Sequence, residues 1–192
     1  MTIYQDKTQP TDYETLFRDP NRWIDVRKTQ DWYVYTHSPR SGGQGVAILP
    51  YRRNRNNNLM GVIEFLGRFE VVPPHGPHAT LCSITGMVDK PGKSIEQIVL
   101  EELHEEGGYL AEEHHLTNLG ILRPNKSSDS IQNLFAINID QEGIQAVTAT
   151  TDGTQGEQGA YCDWVSFWDV VSCKDPLMHA MMLRNSHLPS IR

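Results

Sequence analysis

The chain has 192 residues, 38% hydrophobic and 21% charged, with a formal net charge of −7. That length suits one domain with a sizeable core, and the acidic balance gives no electrostatic footprint for nucleic acid or an anionic membrane surface. Three widely spaced cysteines, Cys82, Cys162 and Cys173, support neither a disulfide framework nor a zinc site, and neither an export signal nor a membrane span can be read in the chain, so a cytoplasmic protein is expected.

Residues 1–30 are polar and interrupted by Pro10 and Pro20. They read as an N-terminal arm holding a short helix or strand, with residues 31–192 as the domain proper. Trp32-Tyr33-Val34-Tyr35-Thr36 alternates bulky and β-branched residues and predicts a strand; its aromatics either pack or stack on a base, and packing is the simpler role. After a turn at 38–43, residues 45–51 predict a buried strand and 59–65 its partner. The loop between them, Arg52-Arg53-Asn54-Arg55-Asn56-Asn57-Asn58, reads as a hairpin connection because asparagine tolerates a left-handed backbone. His75 and His78 lack the Cys/His partners that zinc needs at usable spacing and are expected to face solvent. Residues 79–85 form an apolar strand that delivers the chain to Gly86.

Beyond the stretch 86–109, strands are predicted at 116–122 and 131–139 with a polar loop between them. Residues 140–160 are poor in bulky side chains, and a connection of that length is usually functional or disordered. Residues 161–168 predict a strand. A closing helix then starts at Asp169 or at Asp175, which is followed by Pro176 in the favoured first-turn position. Met178, Met181, Met182 and Leu183 recur at helical spacing, as core residues do. Strands, one long helix, further strands and a closing helix predict an α+β domain with helices on the faces of a mixed β-sheet.

Residues 86–109 carry the chemistry. Ser94 can cap a helix with Gln97 as its capping-box partner, and Gly107-Gly108 ends it. At about 100° per residue, Ile95, Ile98, Val99, Glu102, Glu105 and Glu106 share roughly a third of the circumference. An EExxEE-like string is ordinarily a solvated helix face; here the acidic patch continues the apolar stripe, so the glutamates border the core or a cleft. They also crowd the C-terminal end, where the macrodipole and like-charge repulsion both disfavour them, and something positive must compensate. Carboxylates at i, i+3 and i+4 suit a hard, oxygen-seeking cation such as Mg²⁺, with Mn²⁺ as a substitute.

The stretch resembles the Nudix hydrolase box, G-x5-E-x7-R-E-U-x-E-E-x-G-U, where U is a bulky apolar residue. Glu102-Leu103-His104-Glu105-Glu106-Gly107-Gly108-Tyr109 matches its second half position by position, and Gly86 matches the opening glycine. The turn has one extra residue, Lys93 stands in place of the early glutamate, and Glu101 replaces the arginine. The resemblance implies the α/β/α sandwich of the Nudix fold, Mg²⁺ held by Glu102 and Glu106 with Glu105 as a third ligand or shared, a further metal contact from the Thr85 carbonyl, and water-driven cleavage of a diphosphate linked to another moiety.

Within the family, the phrase Thr85-Gly86-Met87-Val88-Asp89 is most like the nucleoside-diphosphate-sugar branch, which includes ADP-ribose and UDP-glucose pyrophosphatases. The resemblance there implies a water-directing glutamate at Glu157, with Asp152 as second choice and Glu105 as the other catalytic candidate. It also implies a phosphate contact from Arg68, a close approach of substrate at Gly86, and a homodimer in which Trp32-Tyr33-Val34-Tyr35 helps build the partner's site. A Nudix hydrolase of a nucleoside triphosphate or dinucleoside polyphosphate, and a catalytically weak nucleotide-binding sensor, stay open as alternatives. Replacing Glu106 by Gln is expected to stop turnover and, by relieving repulsion in the cluster, to leave metal-free stability level or higher.

Overall fold

The fold is organised on the strand β4 (Gln44–Arg53), whose residues 45–51 are all buried. In the computed structural model, which describes residues 12–53, 62–150 and 159–185, β4 pairs in parallel with β10 (Ile131–Asn138), from Ile131 against Gln44 to Asn138 against Tyr51. A strand with a parallel neighbour and both faces covered reads as a continuous apolar run rather than an alternating one. Ala47, Leu49 and Tyr51 pack on one face with Met178, Met181 and Val170. Val46 and Ile48 pack on the other with Ile98, Val99 and Leu103. The first face is covered by α2 (Phe167–Ser172) and α3 (Pro176–Arg184), the second by α1 (Ile95–Glu105). The expected α+β architecture, helices on both faces of a mixed sheet, is what the structure has.

Among the described residues the main sheet runs β12 (Tyr161–Ser166), β5 (Ile63–Val71), β4, β10, β9 (Leu116–Leu122), with β6 (Ala79–Cys82) on β5 and β7 (Ile84–Met87) on β4. The strand β4 changes partner along its length: Gly45 to Ile48 pair with β7, and Tyr51 to Arg53 with β5. Pro50, which has no N–H to give, stands between the two halves, where a missing ladder donor costs least.

The single strand expected over 79–85 is two, broken at Ser83. The backbone N–H and the hydroxyl of Ser83 both donate to Asp175 Oδ2, at 2.6 and 2.7 Å, which turns the chain out of one ladder and into the next. The same carboxylate caps α3, its Oδ1 accepting from the Leu177 N–H at 2.8 Å. The strand expected over 161–168 ends at Ser166 instead, because Ser166 and Asp169 form a capping box that starts α2. Of the two candidate helix starts, Asp175 is used as the cap of α3, whereas Asp169 is the third residue of α2, whose cap is Ser166.

The N-terminal segment is a three-stranded antiparallel sheet of β1 (Tyr13–Arg18), β2 (Asp25–Thr29) and β3 (Val34–His37), with residue 30 in the turn between β2 and β3. Trp32 lies in that turn at φ 65° rather than in the strand. Of its aromatic run only Tyr35 is buried, whereas Trp32 is 80% exposed beneath the Lys28 ammonium. The tip of the β4–β5 hairpin lies outside the described residues. A two-residue pairing of β8 (Tyr109–Leu110) with β11 (Gln145–Ala146) closes the chain after α1; strands so short leave no periodic signal.

Candidate functional site

The helix α1 is fixed at both ends. Ser94 Oγ accepts from the Gln97 N–H at 3.1 Å and Gln97 Oε1 accepts from the Ser94 N–H at 3.0 Å, the capping box expected from the sequence. Past its C-terminal end Gly108 sits at φ 70°, where a Cβ would lie 2.8 Å from the Val147 carbonyl oxygen. Only glycine fits that position without strain. Three glutamates are thereby held at the carbonyl end of the helix, against its dipole.

Each has a distinct environment. The Glu106 side chain is buried and its Oε1 forms an ion pair with Nη1 of Arg68, itself 7% exposed on β5. Arg68 Nε also donates to Glu70 Oε2 at 3.0 Å. Glu102 folds over Gly86, its carboxylate occupying the space that a Cβ there would fill. Glu105 is half-buried, with Lys90 Nζ 4.0 Å from its Oε2. Arg68 and Lys90 are thus the compensating positive charges. This changes the stability expected of Glu106→Gln: the carboxylate is not merely repelled by its neighbours but is the buried partner of a guanidinium, so removing its charge is expected to destabilise the fold.

Two of the three departures from the box motif, Lys93 and Glu101, meet each other in space. Lys93 Nζ donates to Glu101 Oε1, and Lys90 Nζ donates to Glu101 Oε2 at 2.9 Å. The Lys93 and Lys90 hydrogen bonds hold the Glu101 carboxyl below its usual range, and the Glu101 bond in turn raises Lys90. The glycine-rich loop is thereby clasped to α1 with the charges reversed relative to the motif. Lys90 carries no motif signal; only a search for basic residues on the turn facing the acidic helix would have found it.

The donor set suits a hard divalent cation: carboxylates, with Glu106 Oε2 buried and without a hydrogen-bond partner. The side chains do not converge as they stand. Among the described residues no three His, Cys, Asp or Glu side chains are grouped closely enough to hold an ion, because Glu106 turns to Arg68 and Glu105 towards Lys90. Thr85 is exposed on β7 opposite Ala47, one residue before Gly86. Glu157 and Asp152 lie outside the described residues. His75 and His78 are exposed, and the thiols of Cys82 and Cys162 are pushed up by burial to about 12 and about 11, which leaves them protonated and unreactive at neutral pH.

Two of the cavities among the described residues flank this end of the sheet. One of about 510 Å³ opens at the break between β6 and β7 and is lined by Leu81, Cys82, Ser83, Thr85 and Leu177. The other, of about 360 Å³, shares Thr85 and Leu177 and extends past Gly86 to Gly45 and Gln132. No helix among the described residues is long and apolar enough to cross a membrane.

No family model and no curated protein matches the chain. Solved structures do. The chain is similar to an ADP compounds hydrolase with a TM-score of 0.56 and 18% sequence identity, over 84% of this chain and 79% of that one. It is also similar to a Nudix hydrolase from Nitrosomonas europaea, with a TM-score of 0.50 and 18% identity, over 73% of this chain and 87% of that one. At that identity the likeness is one of architecture: the chain has a fold similar to that of the Nudix hydrolases.

Proposed function

We propose that the protein is a divalent-metal-dependent Nudix pyrophosphatase that hydrolyses a nucleoside diphosphate sugar, of ADP-ribose or UDP-glucose type, to a nucleoside monophosphate and a sugar phosphate. The observation that carries this reading is the cluster at the end of α1, where Glu102 covers Gly86 and Glu106 keeps one buried, unpartnered carboxylate oxygen. Glu102 and Glu106 would hold Mg²⁺ or Mn²⁺, with Glu105 and the Thr85 carbonyl as further donors. When bound, such an ion screens the diphosphate and acidifies and orients water.

The chain's own residues supply the rest. Gly86 lets a phosphate approach the loop backbone closely. Glu105 or Glu157 takes the proton from water as its oxygen bonds to phosphorus and the bridging P–O bond breaks, the bridging oxygen leaving with the other phosphate. Arg68, on releasing Glu106, has a guanidinium to offer to a substrate phosphate. The exposed Phe17 of β1, with Trp32 and Tyr33 in the connection between β2 and β3, supports a homodimer, and the three free cysteines fit a reducing cytoplasm.

A second reading has its own support. With Arg68 on Glu106 and no grouped donors among the described residues, a nucleotide-binding sensor with little turnover accounts for the same cluster. Assays with ADP-ribose, UDP-glucose and GDP-mannose, with Mg²⁺ and with EDTA, separate the two. Release of monophosphate that EDTA stops supports the hydrolase; binding without release supports the sensor; release unchanged in EDTA sinks the metal-dependent reading.

A further inference from the structure

The exchange of Lys93 and Glu101 leaves the charge of the box unchanged, since one oppositely charged pair stands where another would. Lys90 lies outside that exchange and adds a cation to the glycine-rich loop. Its Nζ donates to Glu101 Oε2 at 2.9 Å and lies 4.0 Å from Glu105 Oε2, so it stands against two carboxylates one helical turn apart on the same side of α1. The hydrogen bond to Glu101 first, and then the charges of Glu105, Glu101 and Glu102, raise the ammonium above its ordinary value and keep it charged.

The charges tied together at this end of α1 do not cancel. Glu70, Glu101, Glu102, Glu105 and Glu106 meet Arg68, Lys90 and Lys93, which leaves two negative charges over, the charge of one divalent ion. Without Lys90 the excess would exceed what one such ion neutralises. A further ion at Glu105 would share its carboxylate with the ammonium, and two cations repel strongly at that range where water is partly excluded. Lys90 is also within reach of a ligand: its side chain is 36% exposed, and the Glu101 bond takes one of three N–H donors. A lysine ammonium is a compact point charge of the kind that meets phosphate oxygens.

We propose that Lys90 takes the place of a second metal ion: the cluster binds a single divalent cation, at Glu102 and Glu106, and the Lys90 ammonium beside Glu105 offers the remaining positive charge to a substrate phosphate. The inference rests on the metal-dependent pyrophosphatase reading and deepens it, giving the number of ions and the residue that stands in for another.

The count of bound ions tests this without turnover. Titration of the chain with Mn²⁺, followed by electron paramagnetic resonance of the free ion, is expected to show a single ion per chain. Lys90→Met, which keeps the stem and removes the charge, should take up a second ion, and Lys90→Arg should not. Lys93→Met removes the same charge from Glu101 but not from beside Glu105, and should also stay at a single ion. A wild-type chain with two ions, a folded Lys90→Met chain with only one, or a second ion gained equally by Lys93→Met overturns the inference. Should Lys90→Met not fold, Lys90→Gln is read in its place, with the same outcomes. The phosphate contact is read by calorimetry with ADP-ribose and Ca²⁺: Lys90→Met should bind at least fivefold more weakly than wild type with Ca²⁺ equimolar to the chain, and should regain its affinity in excess Ca²⁺. An affinity unchanged at equimolar Ca²⁺, or a loss that excess Ca²⁺ does not repair, overturns the exchange of ion for ammonium. Hydrolysis is assayed separately, so turnover with two ions bound refutes this inference alone, and a single bound ion with no turnover refutes the hydrolase reading alone.

Discussion

Lys93 and Glu101 face each other across the loop that precedes α1, with Lys90 completing a three-residue clasp. The pairing holds the Glu101 carboxyl below its ordinary value of 4.5. A group with a depressed folded pKa stabilises the fold above its unfolded value and loses that contribution as pH falls through the folded one. The difference in melting temperature between wild type and Glu101→Gln is therefore expected in full at pH 6 to 7 and to shrink steadily below about pH 4.5. Lys90, raised by the same contact, keeps its contribution until pH climbs above its ordinary range. Scanning calorimetry across pH checks both limbs; a difference that persists unchanged at pH 3 would mean the clasp is not what Glu101 supplies.

Glu106→Gln should abolish Mg²⁺-dependent turnover by a factor of about 10² or more, on the scale of losing one preorganised charge contact. It should also destabilise the metal-free protein by about 1–3 kcal/mol, because the neutral amide removes one ion pair of buried Arg68 and replaces a charge-assisted hydrogen bond by a weaker one. Denaturant unfolding gives the second number. Stability equal to or above wild type would restore the picture of a simply repulsive cluster.

The reverse substitution tests competition for the same carboxylate. Arg68→Met leaves Glu106 buried without its ion-pair partner, at a cost of about 3–5 kcal/mol in the absence of metal. Because a ligand that binds only the folded state stabilises it in proportion to ln(1 + [L]/Kd), Mg²⁺ should raise the melting temperature more in Arg68→Met than in wild type. A smaller shift in the variant would show that Arg68 assists the ion rather than standing in its place.

Gly86→Ala puts a methyl group where the Glu102 carboxylate lies. The side chain is flexible at that end, so the fold should survive with a loss of about 1–3 kcal/mol, while turnover falls because Glu102 is pushed off its station. Activity near wild type would remove Glu102 from the ligand set.

The residues of α1 were legible because capping and periodicity are local rules: Ser94, Gln97 and the apolar stripe specify the helix without reference to the rest of the chain. The strands β4 and β9 and the cap at Asp175 were legible for the same reason. The break at Ser83 was not, since its cause is a carboxylate 92 residues away. Nor was the state of Arg68, whose partners come from its own strand and from the end of α1 and whose burial depends on how β5, β6 and β12 close around it. Lys93 and Glu101 look like two losses when read singly along the motif. Eight residues apart, they become one exchange only when the loop is folded back on the helix.

The N-terminal sheet is stitched to the domain by backbone and not only by side chains. The Thr36 N–H donates to the Ser127 carbonyl at 2.8 Å, the Asp129 N–H donates to the Thr36 carbonyl at 3.2 Å, and the Tyr33 hydroxyl reaches the Lys126 carbonyl. A chain shortened to begin after β3 would therefore do more than lose a tail. It would unlatch residues 126–129, strip Asp129 of its histidine partner and leave the start of β10 without its anchor, so trimming the first forty residues should lower the melting temperature of the remaining domain.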